Sequence, residues 1–178
     1  GTGASVGKLL GFEHAMKSGI GTCGIQVGDL QVAAIVAVNA CGNVVDYETN
    51  ELLAGVYDSH SGSVLKAQDV LFQQMDALRK LPEGNTTIGC IVTNAKLDKA
   101  QCTKIAGIAH NGYARAIHPV HTMSDGDSIF VLSSGEVEVM ADAVGMLATE
   151  MMAKAIKRAV LHAESAYGLP AHSDVICK

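Results

Sequence analysis

The predicted fold depends on one nearly apolar run of the sequence, Gln31-Val32-Ala33-Ala34-Ile35-Val36-Ala37-Val38-Asn39-Ala40. A strand with one face in water alternates apolar and polar residues, whereas a strand buried on both faces is apolar throughout. We therefore predict that this run is a strand covered on both sides. Asn39 is the one amide within it, and a buried amide needs hydrogen-bond partners. Either it satisfies the backbone of the next turn, or it is a fixed donor aimed at an oxyanion.

Strands and helices extend outward from this run in a mixed order. Periodicity and turn residues predict a short helix over Lys8–Lys17, strands near Thr22–Val27 and Val44–Tyr47, a helix over Ser63–Leu81, a strand over Thr87–Thr93, a helix over Asp98–Ala116 with Asp98 as N-cap, a strand over Ser128–Ser133 and a long helix over Glu136–Tyr167. The order is three strands followed by α, β, α, β, α. It predicts an α/β fold with stacked layers of sheet and helix.

Length and composition favour a single domain with a large core. The chain has 178 residues, of which 48% are hydrophobic and 17% are charged. A net charge of −5 with scattered basic residues argues against nucleic acid as a partner, and no apolar stretch is long enough to span a bilayer. Five cysteines without a C-x-x-C pair indicate neither a disulfide framework nor a zinc knuckle, so we expect a reducing, cytoplasmic setting.

The tetrapeptide Gly84-Asn85-Thr86-Thr87 lies between a helical stretch and a predicted strand. Threonine is common at the start of a strand, and Thr86 has that ordinary interpretation. The alternative is a nucleophile released by self-cleavage of the Asn85–Thr86 bond. An N-terminal threonine carries its own base, because its free α-amine has a pKa of about 7.7–8.0. Both interpretations stay open on the residues alone.

The glycine-rich start of the chain, Gly3-Ala4-Ser5-Val6-Gly7-Lys8, invites comparison with a phosphate-binding loop. The spacing fails, because the first glycine of G-x-x-x-x-G-K falls on Thr2 and the magnesium-binding hydroxyl falls on Leu9. We interpret this segment as a loop that packs through its backbone.

Four side chains between residues 118 and 127 have the chemistry of metal ligands: His118, His121, Asp125 and Asp127. The two histidines of an H-x-x-H pair face the same direction if the segment is helical. Pro119 between them argues against a helix. We therefore interpret the segment as a polar loop, and we expect neither a metal nor a cofactor.

Longer motifs extend in order over nearly the whole chain. They are Gly1–Gly11, Val36–Ala40 with Gly42–Asp46, Gly84–Gly89, Val92–Leu97 with Lys99–Gln101, and Ala114–Thr122 with Asp125–Asp127. On these residues the chain resembles the DmpA-like aminopeptidases of peptidase family S58, which include β-peptidyl aminopeptidases and L-aminopeptidase/D-esterases.

The resemblance implies a precursor that cuts itself between Asn85 and Thr86, so that 1–85 ends one fragment and 86–178 forms the other. Thr86 then corresponds to the nucleophile, Asn39 to the oxyanion amide and Asp127 to the acid that helps hold the nucleophile's amine. The family's Ser-Gly-acid pattern aligns with Asp125-Gly126-Asp127. Its hydroxyl is therefore replaced by Asp125 or supplied by Ser124, which is one residue out of register.

The resemblance also implies a four-layer αββα sandwich, similar to the ornithine acetyltransferase group, of which this chain supplies the later part. The implied activity is an aminopeptidase or amidase acting on small peptides or amino-acid amides. We expect a homo-oligomer without nucleic-acid or membrane partners. An acyltransferase of the ornithine acetyltransferase type and a catalytically silent, truncated assembly subunit remain as alternatives.

Overall fold

The computed structural model describes residues 1–73 and 84–176. The helices in this part of the chain are α1 (Ala67–Gln73), α2 (Lys99–Ala116), α3 (Ala141–Leu161) and α4 (His172–Val175). The strands are β1 (Ser5–Val6), β2 (Met16–Lys17), β3 (Ile20–Val27), β4 (Leu30–Ala37), β5 (Asn43–Val45), β6 (Leu52–Ala54), β7 (Val56–Asp58), β8 (Ser63–Leu65), β9 (Ile88–Ala95), β10 (Ile117–His118) and β11 (Ser128–Val137). The α/β class predicted from the order of elements is confirmed.

A four-stranded sheet in the order β11-β9-β4-β3 forms the centre of the molecule. Strand β4 pairs antiparallel with both β3 and β9, whereas β9 and β11 run parallel. Smaller sheets lie outside it, namely β10-β5-β6, β1-β2 and β7-β8. The central sheet therefore carries the apolar run of residues 31–37 on an interior strand, paired along both edges.

Helices α2 and α3 cover one face of this sheet, which we call the inner face. Glycines allow the close approach: a Cβ at Gly21 on β3 would lie 1.8 Å from the carbonyl oxygen of Ala155 on α3. Between the two helices, a Cβ at Gly112 would lie 2.7 Å from the carbonyl oxygen of Thr149. The inner side chains, such as Val36 and Ile91, are fully buried. The helix backbones therefore lie in close contact with the sheet and with each other.

The opposite, outer face of the sheet is apolar but exposed. Its large side chains are Ile20, Ile35, Ile88, Val92, Phe130 and Leu132. Strand β4 accordingly alternates between buried and more exposed residues, and the side chain of Ile35 is 44% exposed. The prediction that the run 31–40 is buried on both faces is wrong for the described chain, because the described helices cover the inner face only.

Several predicted helices differ from the structure. The segment Lys8–Lys17 contains one turn of 3₁₀ helix, Phe12–His14, and then strand β2, because the Lys17 ammonium donates to the carbonyls of Gly1, Ala4 and Ser18 and ties the segment to the chain start. The last long helix is shorter than predicted, covering only Ala141–Leu161, because β11 extends to Val137.

One local prediction is confirmed and another is wrong at its start. Asp98 caps α2, and its side chain and that of Gln101 form a reciprocal capping box. The predicted helix Ser63–Leu81 begins instead with strand β8, Ser63–Leu65, which pairs with β7; helix α1 follows it, and residues 74–83 lie outside the described residues. Of the described helices, none has the length and apolar character needed to cross a membrane.

Candidate functional site

Three sequence-predicted residues meet at one edge of the central sheet. Residue pairing places Ala37, Ile88 and Ser128 side by side on β4, β9 and β11. Because β4 is antiparallel to β9 and β9 is parallel to β11, the end of β4 and the starts of the other two strands share this edge. Asn39 follows β4, Thr86 precedes β9 and Asp127 precedes β11, so the topology brings all three together.

Thr86 is half-buried and lies two residues before β9. Its hydroxyl contacts the loop that contains Gly126: a Cβ at Gly126 would lie 2.6 Å from Thr86 Oγ1. Gly126 therefore leaves room for the hydroxyl where any larger residue would collide with it. The chain is continuous across Asn85, which is buried, so the nitrogen of Thr86 is a peptide amide in this structure.

Thr87 anchors the start of β9, a role that the sequence reasoning missed. It is fully buried, its Oγ1 accepts from the Asn39 N–H at 3.3 Å, and its own N–H donates to Asp127 Oδ1 at 2.9 Å. These two bonds join the three strand ends. They place the carboxylate of Asp127 at the amide next to Thr86 rather than at the Thr86 nitrogen itself.

The amide of Asn39 has a defined orientation. Its Oδ1 accepts from Lys8 Nζ at 2.7 Å and from the Ser5 N–H at 3.4 Å, and its Nδ2 donates to the Gly84 carbonyl at 2.8 Å. A lysine ammonium can only donate, so the atom facing Lys8 has to be the oxygen. The Nδ2 group is thereby aimed at the segment that precedes Thr86.

Lys8 is the second functional candidate that sequence reasoning missed. The residue is only 5% exposed, and burial lowers the pKa of its ammonium, opposed by the neighbouring Cys41 and Asp125. Burial in turn raises the pKa of Cys41 to about 11, so this thiol stays protonated at neutral pH. In the sequence, Lys8 ends the glycine-rich segment that does not match a phosphate-binding loop. Nothing in that segment indicates that the ammonium of Lys8 hydrogen-bonds to the side-chain amide of Asn39.

The loop before β11 contains the remaining predicted side chains. Asp125 Oδ2 accepts from the Thr122 N–H at 2.8 Å, while Oδ1 is buried and makes no hydrogen bond to any described residue. Ser124 donates its N–H to Thr122 Oγ1 at 3.4 Å, a contact within the loop. The charge of Asp125 acts to raise the pKa of both Lys8 and Cys41.

The two histidines of the H-x-x-H pair have different partners. His118 Nε2 contacts the Ala114 carbonyl at 3.1 Å, whereas His121 Nδ1 lies 2.9 Å from Asp127 Oδ2. Across residues 1–73 and 84–176, no three His, Cys, Asp or Glu side chains are grouped so as to hold a metal ion. His121 instead belongs to the site through Asp127.

Together these residues offer groups that an acyl-transfer site would require: a hydroxyl on Thr86, an amide donor on Asn39, and carboxylates on Asp125 and Asp127 that accept from backbone N–H groups. Lys8 orients the donor. In the continuous chain, the Nδ2 group of Asn39 donates to the Gly84 carbonyl.

Comparison with known proteins finds relatives of this chain over most of its length. The sequence profile of Peptidase family S58 matches residues 1–173. An uncharacterized aminopeptidase of Mycobacterium tuberculosis is 37% identical over 186 aligned positions, which cover 90% of this chain and 53% of that protein. A 6-aminohexanoate-oligomer endohydrolase of Paenarthrobacter ureafaciens is 30% identical over 176 positions, covering 89% of this chain and 48% of that one.

Among solved structures, an L-aminopeptidase D-Ala-esterase/amidase from Ochrobactrum anthropi, described as a variant of the Ntn hydrolase fold, aligns with a TM-score of 0.59 at 17% identity. The alignment covers 95% of this chain and 51% of that one, and at this identity it shows similarity of fold alone. The chain spans about half the length of the curated relatives that it matches.

Proposed function

The chain belongs to peptidase family S58, and from this premise we propose that it is part of a self-processing amide hydrolase with Thr86 as its nucleophile. The proposed activity is removal of an N-terminal residue from small peptides or amino-acid amides. The observation that carries the proposal is the meeting of Thr86, Asn39 and Asp127 at one sheet edge, with Gly126 against the Thr86 hydroxyl.

Processing begins with attack of Thr86 Oγ1 on the carbonyl carbon of Asn85. The C–N bond between Asn85 and Thr86 breaks, the nitrogen takes up the hydroxyl's proton, and an ester forms between Asn85 and the Thr86 side chain. Water then hydrolyses this ester, leaving a carboxylate on Asn85 and a free amine on Thr86. Such an amine titrates near neutrality, at a pKa of about 7.7–8.0, and can act as the base in later turnovers.

Processing also changes what the Asn39 amide is able to bind. In the uncut chain its Nδ2 group donates to the carbonyl of Gly84, which lies one residue before the scissile carbonyl. When residues 84 and 85 leave, this donor is released and faces the nucleophile. It can then stabilise the oxyanion that forms as Thr86 attacks a substrate carbonyl.

Lys8 and Asp125 have supporting roles in this proposal. The Lys8 ammonium polarises the Asn39 carbonyl oxygen, which makes the Nδ2 group a stronger donor and prevents the amide from flipping. Asp125 Oδ1 is buried and accepts no hydrogen bond from a described residue, so it provides an acceptor for the ammonium form of the new Thr86 N-terminus.

Intact-mass spectrometry of the complete protein tests the processing step. We expect two fragments that meet at Asn85 and Thr86, and only the uncut mass for Thr86→Ala. Thr87→Ser is the matched control, because it keeps a hydroxyl for the Asn39 bond and leaves the nucleophile intact. Efficient cleavage of Thr86→Ala would remove Thr86 from the mechanism.

Turnover is tested with a panel of p-nitroanilides carrying an L-alanyl, D-alanyl, β-alanyl or 6-aminohexanoyl group, the last chosen from the name of a relative. Release of p-nitroaniline by the wild type, and a loss of about a thousandfold or more in Thr86→Ala, is the expected result. A cleaved protein that releases nothing in water but acylates an added amine would be an acyltransferase instead.

A further inference from the structure

Thr87 follows the proposed nucleophile in the chain and is fully buried. Its polar groups bond to different parts of the fold. The N–H donates to Asp127 Oδ1 at 2.9 Å, the carbonyl accepts from the Ser128 N–H at 3.1 Å, and the hydroxyl oxygen accepts from the Asn39 N–H at 3.3 Å. The residue is therefore fixed both by the segment that follows β4 and by the start of β11.

Cleavage before Thr86 would change what holds this residue in place. In the uncut chain, Thr86 lies between the buried residues Asn85 and Thr87. After cleavage, the peptide bond to Thr87 is the only covalent link between Thr86 and the rest of the fold. The bond from the Thr87 N–H to Asp127 fixes the plane of this peptide, because the N–H and the Thr86 carbonyl lie in one plane. The position of the nucleophile after processing therefore depends on Thr87.

The hydroxyl of Thr87 connects this peptide to the second part of the candidate site. It accepts from the backbone N–H of Asn39, the residue whose Nδ2 group is the proposed oxyanion donor. Acyl transfer depends on the separation of nucleophile and donor, because the oxyanion forms on the carbonyl that the nucleophile attacks. We propose that Thr87 is a positioning residue whose hydroxyl sets the distance between Thr86 and Asn39 in the processed protein. The inference rests on the proposed function, which gives Thr86 and Asn39 their catalytic roles.

Thr93 offers a matched comparison at the other end of β9. It is also buried, and its hydroxyl donates to the Gln31 carbonyl at 2.7 Å and accepts from the Ala95 N–H at 3.2 Å. The two threonines are about 20 Å apart along the chain, at a rise of about 3.3 Å for each residue of an extended strand. Thr93 therefore repeats the chemistry of Thr87 far from the candidate site.

Valine at either position keeps the shape of threonine and replaces the hydroxyl with a methyl group. Thr87→Val should lower the kcat of the fully processed protein for aminoacyl p-nitroanilides about 10- to 100-fold, with KM within about threefold of wild type. The reason is that the substitution loosens the nucleophile relative to the oxyanion donor and changes no group that contacts substrate. Thr87→Ser retains the hydroxyl and should keep kcat within about threefold of wild type, as should Thr93→Val.

Thermal unfolding of the same proteins separates positioning from stability. Both valine variants should lower the midpoint temperature by similar amounts, since each removes a buried hydroxyl from its hydrogen bonds. Wild-type kcat in Thr87→Val would overturn the proposal. An equal loss of kcat in Thr93→Val would also overturn it, because the loss would then follow stability. The same holds for an equal loss in Thr87→Ser, because the hydroxyl would then be irrelevant.

Hydrogen exchange of the backbone amides in the complete protein tests the bond itself without turnover. The Asn39 amide should exchange about tenfold or more faster in Thr87→Val than in the wild type, because Thr87→Val lacks the acceptor oxygen. In Thr87→Ser and Thr93→Val its exchange rate should stay within about threefold of wild type.

An Asn39 amide that is indifferent to Thr87→Val contradicts the inference whether or not the protein is an enzyme. A wild type that neither cuts itself nor hydrolyses amides, while Asn39 exchange still responds to Thr87→Val, would count against the proposed function alone.

Discussion

The two faces of the central sheet carry similarly apolar side chains and have opposite surroundings. On the inner face, Gly21 lets α3 approach the strand backbone, and Ile91 is completely buried. On the outer face, Ile35 and Phe130 remain 44% and 60% exposed. Apolar composition alone therefore does not determine burial. The inner face is distinguished by shape, because small residues stand where a helix has to fit.

The largest difference in the free energy of unfolding is expected between two variants, each with one substitution on a different face. Ile91→Ala on β9 removes a fully buried side chain and should lower the free energy of unfolding by about 2–5 kcal/mol. Ile35 on β4 pairs with Cys90, the residue before Ile91. Ile35→Ala should lower the free energy of unfolding by less than about 1 kcal/mol, since much of that side chain is already in water. Urea unfolding of the two variants of this chain measures both values, and equal costs would show that the outer face is covered.

Two glycines on β3 provide a second matched pair. Gly21→Ala drives a methyl group into the Ala155 carbonyl and should destabilise the chain by about 1–3 kcal/mol. Gly24 lies on the outer face, where the nearest atom to an added Cβ would be the Cβ of Ala33 at 3.2 Å. Gly24→Ala should raise the midpoint temperature of unfolding slightly or leave it unchanged, because alanine restricts the conformations of the unfolded chain. Thermal unfolding compares them, and a neutral Gly21→Ala would disprove the close packing of α3.

A smaller effect on stability is expected from a polar contact of the inner helix layer. Lys157 on α3 donates to Asp46 at 2.5 Å, and this bond, more than any other, lowers the pKa of the Asp46 carboxyl. A lowered folded-state pKa gives stability at neutral pH that disappears as the pH falls through that value. Asp46→Asn should thus cost about 1 kcal/mol at pH 7 and progressively less below about pH 4. Unfolding at several pH values checks the trend, and a cost that does not change with pH would contradict it.

The smallest effect on stability is expected on the outer face. Replacing Phe130 and Leu132 by serine and asparagine should leave the unfolding midpoint of the 178-residue chain almost unchanged, because both side chains are 60% exposed. The same change should reduce fluorescence of a dye that binds apolar surfaces. A large loss of stability would mean that these side chains pack against something.

Most of the correct predictions depend on interactions between residues that are close in the sequence. The capping pair Asp98 and Gln101 and the apolar period of α2 are properties of neighbouring residues, so the helix start could be predicted. The segment Lys8–Lys17 could not, because its conformation depends on Lys17 reaching the carbonyl of Ala4 in another part of the fold. Helical spacing gives no sign of such a bond.

The candidate site divides in the same way. Thr86, Asn39 and Asp127 could be selected from motif and chemistry, and their placement at one edge follows from strand directions. Their neighbours Lys8 and His121 could not. Lys8 contacts Asn39 from a distant part of the sequence, and His121, although close to Asp127 in the chain, has an ordinary sequence context. Whether Ser124 or Asp125 fills the second polar role stays a prediction.

Strand β9 pairs with β4 on one side and with β11 on the other. Chain ends usually fray, because few contacts oppose their conformational freedom. A break before Thr86 would create an end of another kind, clamped between two neighbours and anchored through Thr87. Most of the ordering entropy of this terminus would already have been lost during folding of the uncut chain. A nucleophile on such an end would stay in register after the peptide bond that once held it is gone.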